Sequence, residues 1–431
     1  MLTGLRVRNF KAWKDTGEIR LAPITVFFGA NSSGKTSLHQ LLLMLKQTAQ
    51  STDRQRLLHP GDEKTLVDLG TIHDLVHGHD PSARLGFGVE WQPTGGLSVL
   101  DVRTETTYTG QSIRFDAEIA QTDGKTPTLV VTDLRYRLGS PKAGGLLVRM
   151  APNAKEKGKY DLTAEGYDLV RQQGRAWPLP PPIRFYGFPD EAKVHFQNAD
   201  FVADLALSLE QMLGAIYYVG PLREYPKPSY TWSGERPDHV GARGQRAVEA
   251  LLAATERAFN PRAKARRNSF QEVVAGWLQQ MKLIDDFKVK PLAEHRKEYE
   301  VLVRTAGSRH EVNLTAVGFG VSQVLPVLVE CFYVPAGSTI IFEQPEIHLH
   351  PSVQAALADL FIEAIQTREG ARDRSIQIII ESHSEHFLRR LQRRIAEEAL
   401  SHDQVALYFC EPAAEGATIQ QLDTDIFGNI R

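Results

Sequence analysis

The first residues of the chain follow the two-residue period of a strand. Leu5 and Val7 alternate with Arg6 and Arg8, which is typical of a strand with one exposed face. Residues 24–28, by contrast, are apolar or β-branched at every position, and the run ends abruptly at a glycine. A short run of this kind indicates a strand that is buried on both faces, as in a parallel sheet.

The hydrophobic pattern then changes to the spacing of a helix and later returns to that of strands. Leu38 and the run 41–45 predict a helix that is apolar nearly all round and is therefore covered on most sides. The stretches 98–108, 112–119 and 128–138 alternate between apolar and polar residues and are rich in Val, Thr and Tyr. They predict an antiparallel sheet.

The middle of the chain is expected to be an insertion. Residues 149–195 are rich in Lys, Pro and Gly and have weak periodicity, which predicts an irregular surface segment. Helical spacing follows, and one helix is predicted over 248–259. Another is predicted to begin at Ser269, because Glu272 three residues later completes a capping box.

The last third of the chain alternates between strand and helix patterns. Strands are predicted at 338–342, 376–380 and 405–409, and a helix is predicted after Pro351. The whole pattern indicates an α/β fold. The expected division is 1–150, an N-terminal lobe with the antiparallel sheet; 151–290, an irregular and then helical insertion; and 291–431, a C-terminal lobe.

A glycine-rich loop separates the buried strand 24–28 from the first helix, and it matches the phosphate-binding pattern G-x-x-x-x-G-K-[ST]. Phosphates bind at such a loop because the unpaired N–H groups and the dipole of the following helix face the anion. Lys35 is expected to neutralise the β- and γ-phosphates of ATP, and the Thr36 hydroxyl to bind Mg²⁺. The expected nucleotide-binding residues are Gly29, Ala30, Asn31, Ser32, Ser33, Gly34, Lys35, Thr36 and Ser37.

Composition excludes several classes of protein. The chain has 431 residues, with 50 Lys and Arg against 52 Asp and Glu, and this balance argues against a protein that coats nucleic acid. Cys331 and Cys410 are too few for a disulfide framework, so we expect a cytoplasmic protein. We expect neither a signal peptide nor a membrane span, because no run of about 18 uncharged apolar residues occurs.

A phosphate-binding loop needs an acid for Mg²⁺ at the end of another buried strand, and Glu343 follows such a strand. Here the chain resembles a known family. The run 342–351 (FEQPEIHLHP) resembles the Walker B segment of ABC-type ATPases of the SMC/RecF/OLD group, and 382–384 resembles their switch-histidine segment. The stretch 317–326 is similar to the signature motif at the start of a helix, and 5–10 resembles the first strand of the group.

The resemblance is closer still to a bacterial subfamily of AAA-type ATPases with a C-terminal domain of unknown function. The patterns at 220–223, 232–235 and 318–323 carry it. Relatives in that subfamily include ATPase subunits of Septu-type and retron-linked anti-phage defence systems.

The resemblance implies a P-loop ABC-type ATPase head in two lobes, with ATP held between two heads. Gly320 and Ser322 of one head would then face the γ-phosphate bound by the other. It also implies a homodimer or higher homo-oligomer that regulates a separately encoded effector, a nuclease, in anti-phage defence. A RecF/SMC-like ATPase that binds DNA in repair or chromosome maintenance is the alternative, and an ATP-binding scaffold with negligible turnover is a third.

One position departs from the family pattern. Gln344 stands where most ABC-type enzymes have the glutamate that activates water, and an amide cannot readily take a proton. Either Glu346 takes over that role, or hydrolysis is slow and ATP acts mainly as a clamp for the dimer. The catalytic candidates are Glu343, Gln344, Glu346 and His383.

Other polar clusters are weaker candidates. Three groups of histidines have neither a cysteine nor a clustered third ligand at metal-binding spacing, so we expect no zinc site at any of them. They are His348 with His350, His383 with His386, and the histidines at 73, 77 and 79. Two basic clusters either contact DNA phosphates or form solvated faces paired with acids such as Glu397 and Glu398. The clusters are Arg262, Lys264, Arg266 and Arg267, and Arg389, Arg390, Arg393 and Arg394.

Overall fold

The structure is a computed structural model that describes residues 1–101, 103–122, 128–139, 145–174, 177–260, 267–305 and 307–430. The elements up to residue 214 are β1 (Leu2–Phe10), β2 (Trp13–Asp15), β3 (Ile19–Arg20), β4 (Ile24–Gly29), α1 (Lys35–Gln50), α2 (Ile72–Leu75), β5 (Leu85–Trp91), β6 (Leu97–Asp101), β7 (Thr106–Gly110), β8 (Ile113–Gln121), β9 (Leu129–Leu138), β10 (Leu146–Pro152), β11 (Tyr160–Glu165), α3 (Glu191–His195) and α4 (Phe201–Gly214).

The remaining elements form the second half of the chain. They are β12 (Ile216–Val219), β13 (Tyr230–Thr231), α5 (Ala247–Ala253), β14 (Ala258–Phe259), β15 (Asn268–Ser269), α6 (Phe270–Gln280), β16 (Asp286–Pro291), β17 (Glu298–Arg304), β18 (Val312–Asn313), α7 (Phe319–Tyr333), β19 (Thr339–Glu343), α8 (Pro351–Gln366), β20 (Arg368–Glu369), β21 (Arg372–Asp373), β22 (Gln377–Glu381), α9 (Glu385–Ala396), β23 (Val405–Glu411) and β24 (Thr418–Gln421).

The chain forms two compact units, each built from separate stretches of sequence. The first unit comprises Met1–Leu21, Ala30–Ile216 and Cys410–Ile419; the second comprises Ala22–Gly29, Tyr217–Phe409 and Gln420–Arg431. The predicted α/β fold class is confirmed, with its antiparallel sheet and its helices in the middle of the chain. The division at residues 150 and 290 stays a prediction.

The first unit contains the predicted antiparallel sheet, in the order β11-β10-β9-β8-β5-β1-β2, with β3 paired to β1. Its strands alternate as expected, since every second residue of β8 from Ile113 to Ile119 is buried. The stretch 98–108 is not one strand, however. It belongs to the hairpin of β6 and β7, because the chain reverses near Glu105, whose φ is +52°.

The segment 149–195 was expected to be irregular, and that prediction is wrong in part. β10 and β11 pair within this segment and extend the antiparallel sheet. Phe185 is fully buried, and its ring packs on Phe87 and Phe115 at 5.5 and 5.9 Å between centroids. Sequence periodicity missed this order because isolated aromatic residues between Pro and Gly cover the sheet without a repeating spacing.

The second unit is organised around a six-stranded sheet with the order β12-β19-β22-β4-β23-β24. β19 pairs with β22 and β22 pairs with β4, both in parallel register, so the prediction of a buried parallel strand at 24–28 is confirmed. All residues of β22 are buried. Helices α7 and α8 pack into the same hydrophobic core, which contains Ile24, Leu328 and Leu357.

The helices of the middle segment agree with the pattern except at one end. Ser269 caps α6 in the predicted capping box with Glu272. The helix predicted over 248–259 ends at Ala253 as α5, and Ala258–Phe259 forms β14, which pairs with β15. The Phe259 ring packs against Phe270 and Phe332, and this burial favours the strand over a longer helix.

No helix within the described residues is long and apolar enough to cross a membrane.

Candidate functional site

The phosphate-binding loop starts at the last residue of β4 and ends in the first turn of α1. Gly34 has a φ of +87°, and its carbonyl accepts a hydrogen bond of 3.0 Å from the Trp13 indole N–H. A Cβ atom at Gly34 would lie only 3.0 Å from Cε2 of Trp13. The backbone conformation and this close approach both require glycine at that position.

Lys35 is buried inside the loop. Its Nζ donates hydrogen bonds to the Ala30 carbonyl at 2.7 Å and to the Ser33 hydroxyl at 3.3 Å. The ammonium group is therefore held by the loop that precedes the helix. Of the other loop residues, Asn31 and Ser32 are exposed, whereas Thr36 is half-buried.

His39 lies one turn into α1 and was missed as a feature of this region. Burial lowers the pKa of His39 to about 3, and the charge of Lys35 acts in the same direction. The imidazole is therefore neutral at physiological pH. A histidine inside an otherwise apolar helical run was the signal available in the sequence.

Two carboxylates lie side by side at the carboxyl ends of neighbouring strands. In the parallel register, Glu343 of β19 is opposite Glu381 of β22, and Glu381 is opposite Phe27 of β4. Phe27 stands two residues before Gly29, where the phosphate-binding loop begins. The sheet thus places the predicted Walker B acid and the strand before the switch histidine at the edge from which this loop leaves.

Tyr218 contacts the Walker B acid directly. Its hydroxyl donates a hydrogen bond of 2.7 Å to Oε2 of Glu343. Burial raises the pKa of Glu343, and this hydrogen bond opposes part of that rise. Burial and the neighbouring Glu343 also raise the pKa of Tyr218. Sequence reasoning missed Tyr218, although it stands just before the 220–223 pattern.

Gln344 forms a tight turn directly after β19. Its φ is +44°, and its N–H donates to the Glu381 carbonyl at 2.9 Å. The N–H of Ile347 donates back to the Gln344 carbonyl at 3.1 Å. Glu346 lies within this turn and points into the protein, where only 7% of its surface is exposed.

Glu346 is bound to the segment of the switch histidine. Its Oε1 accepts hydrogen bonds from the Ser382 hydroxyl at 2.8 Å and from the His383 N–H at 2.6 Å. Helix α8 is capped instead by His350, whose Nδ1 accepts from the Ser352 N–H at 3.3 Å. His383 itself is exposed.

Arg223 is a second buried charged residue next to this turn, with 5% of its surface exposed. Its Nη1 lies 3.5 Å from the Pro345 carbonyl. Burial lowers the pKa of Arg223 to about 10, and the negative charge of Glu346 acts in the opposite direction. Arg223 was part of the pattern at 220–223, but sequence reasoning assigned it no role.

The signature-like segment begins helix α7. Gly318 is its exposed N-cap residue and Gly320 is half-buried in the first turn. Ser322 is buried, and its hydroxyl donates to the Phe319 carbonyl at 2.8 Å. The backbone of the first turn is therefore better exposed than the serine side chain.

An exposed apolar patch surrounds this helix start, and we call it the aromatic patch. It consists of Tyr225, Phe319 and His348. The Phe319 ring lies 5.3 Å from that of Tyr225 and 5.5 Å from that of His348. Tyr225 is 72% exposed.

Of the two basic clusters, only the one on α9 lies wholly within the described residues, and its arginines pair with acidic side chains. Arg394 pairs with Asp359 at 2.6 Å, Arg393 with Glu397 at 2.7 Å, and Arg390 with Asp359 at 3.2 Å, so this cluster is a face paired with acids. Arg262, Lys264 and Arg266 lie outside the described residues.

The expectation that no third ligand clusters with the histidines near residue 75 is wrong, because Asp74 lies beside two of them. Ligand atoms of His73, Asp74 and His79 lie within 4.8 Å of one another, and all three residues are exposed. The rings of His73 and His79 are stacked, with their centroids 4.4 Å apart.

Comparison with solved structures finds chains that are similar to this one at low identity. The SMC head domain from Thermotoga maritima is 11% identical, with 97% of this chain and 98% of that chain covered and a TM-score of 0.41. The SmcHead bound to the C-winged helix domain of ScpA is 10% identical, with 99% and 98% covered and a TM-score of 0.43. An Smc head domain with an extended coiled coil, bound to the C-terminal domain of ScpA derived from Pyrococcus furiosus, is 9% identical, with 98% and 96% covered and a TM-score of 0.41.

Among curated proteins, no sequence matches this chain. The sequence profile of the AAA ATPase domain matches residues 1–81 and 253–388, which contain the phosphate-binding loop, the Walker B segment and the switch-histidine segment. These two stretches make up half of the chain, and the protein therefore belongs to the AAA ATPase domain family.

Proposed function

We propose that this protein is an ABC-type ATPase that binds ATP with Mg²⁺ and hydrolyses it. The observation that carries this proposal is the parallel register of β4, β22 and β19. It puts Glu343 and Glu381 at the strand ends from which the phosphate-binding loop starts. Ligand sites in such sheets lie at the carboxyl ends of the strands.

The chemistry of the donor groups fits the nucleotide and its metal. Lys35 and the N–H groups at the start of α1 are the proposed phosphate ligands. The Thr36 hydroxyl and the Glu343 carboxylate are the proposed Mg²⁺ ligands, because oxygen donors suit this hard cation. Mg²⁺ would neutralise the charge on the terminal phosphates when bound.

Slow hydrolysis is part of the proposal. Gln344 can orient a water molecule but cannot readily take its proton. His383 is the proposed sensor of the γ-phosphate, because it is exposed and lies two residues after the end of β22. Phosphate release from ATP by the wild-type protein tests the activity. Release by Lys35→Ala, measured in the same way, gives the background rate. Equal release by the two proteins would contradict the ATPase function.

We further propose that ATP holds two copies of the chain together through the aromatic patch. Support comes from the exposure of Tyr225, whose ring lies 5.3 Å from that of Phe319 at the start of α7; the first turn of this helix offers Gly318 and Gly320 to a phosphate. In the ABC-type arrangement this turn would face the nucleotide of the partner copy.

Mass measurement in solution tests the dimer. We expect a dimer with ATP and a monomer without nucleotide, and we expect Tyr225→Ser/Phe319→Ser to remain monomeric with ATP. Trp177→Ser removes another large residue that is 60% exposed and serves as the matched control. A dimer of unchanged stability in the double variant would contradict this surface.

The biological role is proposed from the family resemblance. The segments 220–223, 232–235 and 318–323 support a subunit that controls a separately encoded nuclease in anti-phage defence. Co-purification of the native protein with the products of neighbouring genes tests this role, and a nuclease is the expected partner. The DNA-binding alternative has less support, because the arginines of α9 are paired with acids.

A further inference from the structure

We propose that Glu346 is a positioning residue that holds the segment of the switch histidine in place, with Arg223 as its buried counter-charge. This inference rests on the proposed ATPase function, and it gives Glu346 a role other than that of the acid that takes a proton from water. Three observations support it: the hydrogen bonds of Glu346, its burial, and the positions of the charged groups around it.

One carboxylate oxygen of Glu346 accepts hydrogen bonds from two donors. Oε1 accepts from the Ser382 hydroxyl at 2.8 Å and from the His383 N–H at 2.6 Å. Hydrogen bonds to a charged acceptor are about twice as strong as neutral ones. The backbone of His383 is therefore tied directly to the side chain of Glu346.

Ser382 makes this connection rigid. Its N–H donates to the Phe27 carbonyl at 3.1 Å, and its hydroxyl oxygen accepts from the Ser384 N–H at 3.1 Å. The hydroxyl is thus a bridge between Glu346 and the N-cap residue of α9. Loss of the Glu346 carboxylate would remove the acceptor of the Ser382 hydroxyl and that of the His383 N–H at the same time.

Burial limits the access of substrate water to the Glu346 carboxylate. The residue is 7% exposed, and Leu349 donates from its backbone to the Glu346 carbonyl at 3.1 Å. Oε2 is buried and has no hydrogen-bond partner among the described residues. A general base needs direct contact, or contact through one water molecule, with the group that it deprotonates.

Arg223 supplies the positive charge that a buried carboxylate requires. It is itself buried, and its Nη1 lies 3.5 Å from the carbonyl of Pro345, the residue before Glu346. Tyr218, five residues earlier, donates to Glu343. The segment 218–223 therefore contacts Glu343 at the end of β19 and Pro345 in the turn that follows it.

Two variants of Glu346 separate positioning from proton transfer. A glutamine keeps an oxygen that can accept from Ser382 and His383, so we expect Glu346→Gln to keep the turnover number within about 3-fold of the wild type. Glu346→Ala should lose roughly 10- to 100-fold, the range for a lost hydrogen bond to a charged group. The KM for MgATP and the shape of the pH–rate profile should change in neither.

One result would overturn the inference: Glu346→Gln is as inactive as Glu346→Ala, and the pH–rate profile of Glu346→Gln loses its acidic limb. Should Glu346→Gln be poorly folded because Arg223 loses its counter-charge, Glu346→Gln/Arg223→Gln restores the balance and repeats the test. A double-mutant cycle adds a second criterion. Glu346→Ala/Ser382→Ala should be within about 2-fold of Glu346→Ala, whereas independent roles would multiply the losses.

Hydrogen exchange tests the same inference without any enzymatic activity. In Glu346→Ala, we expect the peptide that contains 381–384 to exchange faster than in the wild type, and Glu346→Gln should protect it nearly as well as the wild type. Glu397→Ala removes another acid, one that pairs with Arg393, and serves as the control. Unchanged exchange in Glu346→Ala would contradict positioning, whereas equal phosphate release by wild type and Lys35→Ala would contradict the proposed function.

Discussion

The phosphate-binding loop and the acid cluster at the end of β19, which consists of Glu343 and Glu346 with their hydrogen-bond partners, are assembled in opposite ways. The loop consists of consecutive residues, and Lys35 contacts Ala30 and Ser33 within the same loop. In the acid cluster, Tyr218 is 125 positions away from Glu343 in the sequence, and Ser382 is 36 positions away from Glu346. One site is local in sequence, and the other exists only when the sheet is formed.

This difference teaches which functional features a spacing pattern can reveal. A contiguous loop has its geometry set by its own glycines and by the strand and helix that flank it. An assembled cluster depends on the strand order β12-β19-β22-β4, which no local pattern encodes. Substitutions in the two regions should therefore fail in different ways, and the following four predictions test that.

The largest effect is expected for Lys35→Ala. The substitution removes the only side-chain charge that the loop offers to phosphate within residues 29–36, so we expect ATP affinity to fall at least about 100-fold. Calorimetric titration with MgATP measures it. Lys14→Ala removes an exposed lysine paired with Glu415 and should leave the affinity unchanged. A small loss in Lys35→Ala would mean that the loop does not bind the nucleotide.

Gly34→Ala tests whether the geometry of the loop is local. The added Cβ would lie 3.0 Å from the Trp13 ring at a φ of +87°, and we expect ATP affinity to fall about 30-fold without loss of fold. Gly17→Ala is the matched control, because Gly17 also has a positive φ of +65° but no atom lies within 4 Å of its added Cβ. Equal affinities in the two variants would remove the steric argument.

Tyr218→Phe tests the assembled cluster. The ring stays, but Glu343 loses the donor at 2.7 Å, and we expect the Mg²⁺ concentration for half-maximal turnover to rise about 10-fold. Tyr217→Phe is the control, since neighbouring residues of a strand point to opposite faces. If both variants respond alike to Mg²⁺, the contact with Glu343 has no part in binding the metal.

The smallest effect is a pH dependence of stability that originates in His39. Its pKa is about 3 in the folded protein and about 6.5 when unfolded, so only the unfolded state gains a proton as the pH falls below 6.5. Stability is therefore lost as the pH falls. Between pH 7.5 and 6.0 we expect the wild type to lose about 0.8 kcal/mol more than His39→Leu.

Urea unfolding at the two pH values measures this difference. His310→Leu replaces an exposed histidine and should keep the pH dependence of the wild type. A His39→Leu variant with the same pH dependence as the wild type would show that His39 is not buried as a neutral group.

The accuracy of the sequence-based predictions varies with the kind of contact involved. The alternation in β1, the apolar run of β4 and the capping box of α6 each express a repeating or adjacent relation, and all three are confirmed. The hairpin of β6 and β7, the strand β14 and the buried Phe185 were missed or wrong. In these cases the deciding contact is a turn or an aromatic ring packed against a distant part of the chain.

By itself, the sequence determined the buried strand β4, the glycine-rich loop that leads into α1, and the strands β19 and β22, because the pattern of each lies in consecutive residues. Only the tertiary structure decided which groups meet at the strand ends. It placed Tyr218 on Glu343 and turned Glu346 away from solvent toward Ser382 and His383. The physical reason is that parallel strands far apart in the chain become neighbours through their order in the sheet, and groups at their ends then come within hydrogen-bonding distance.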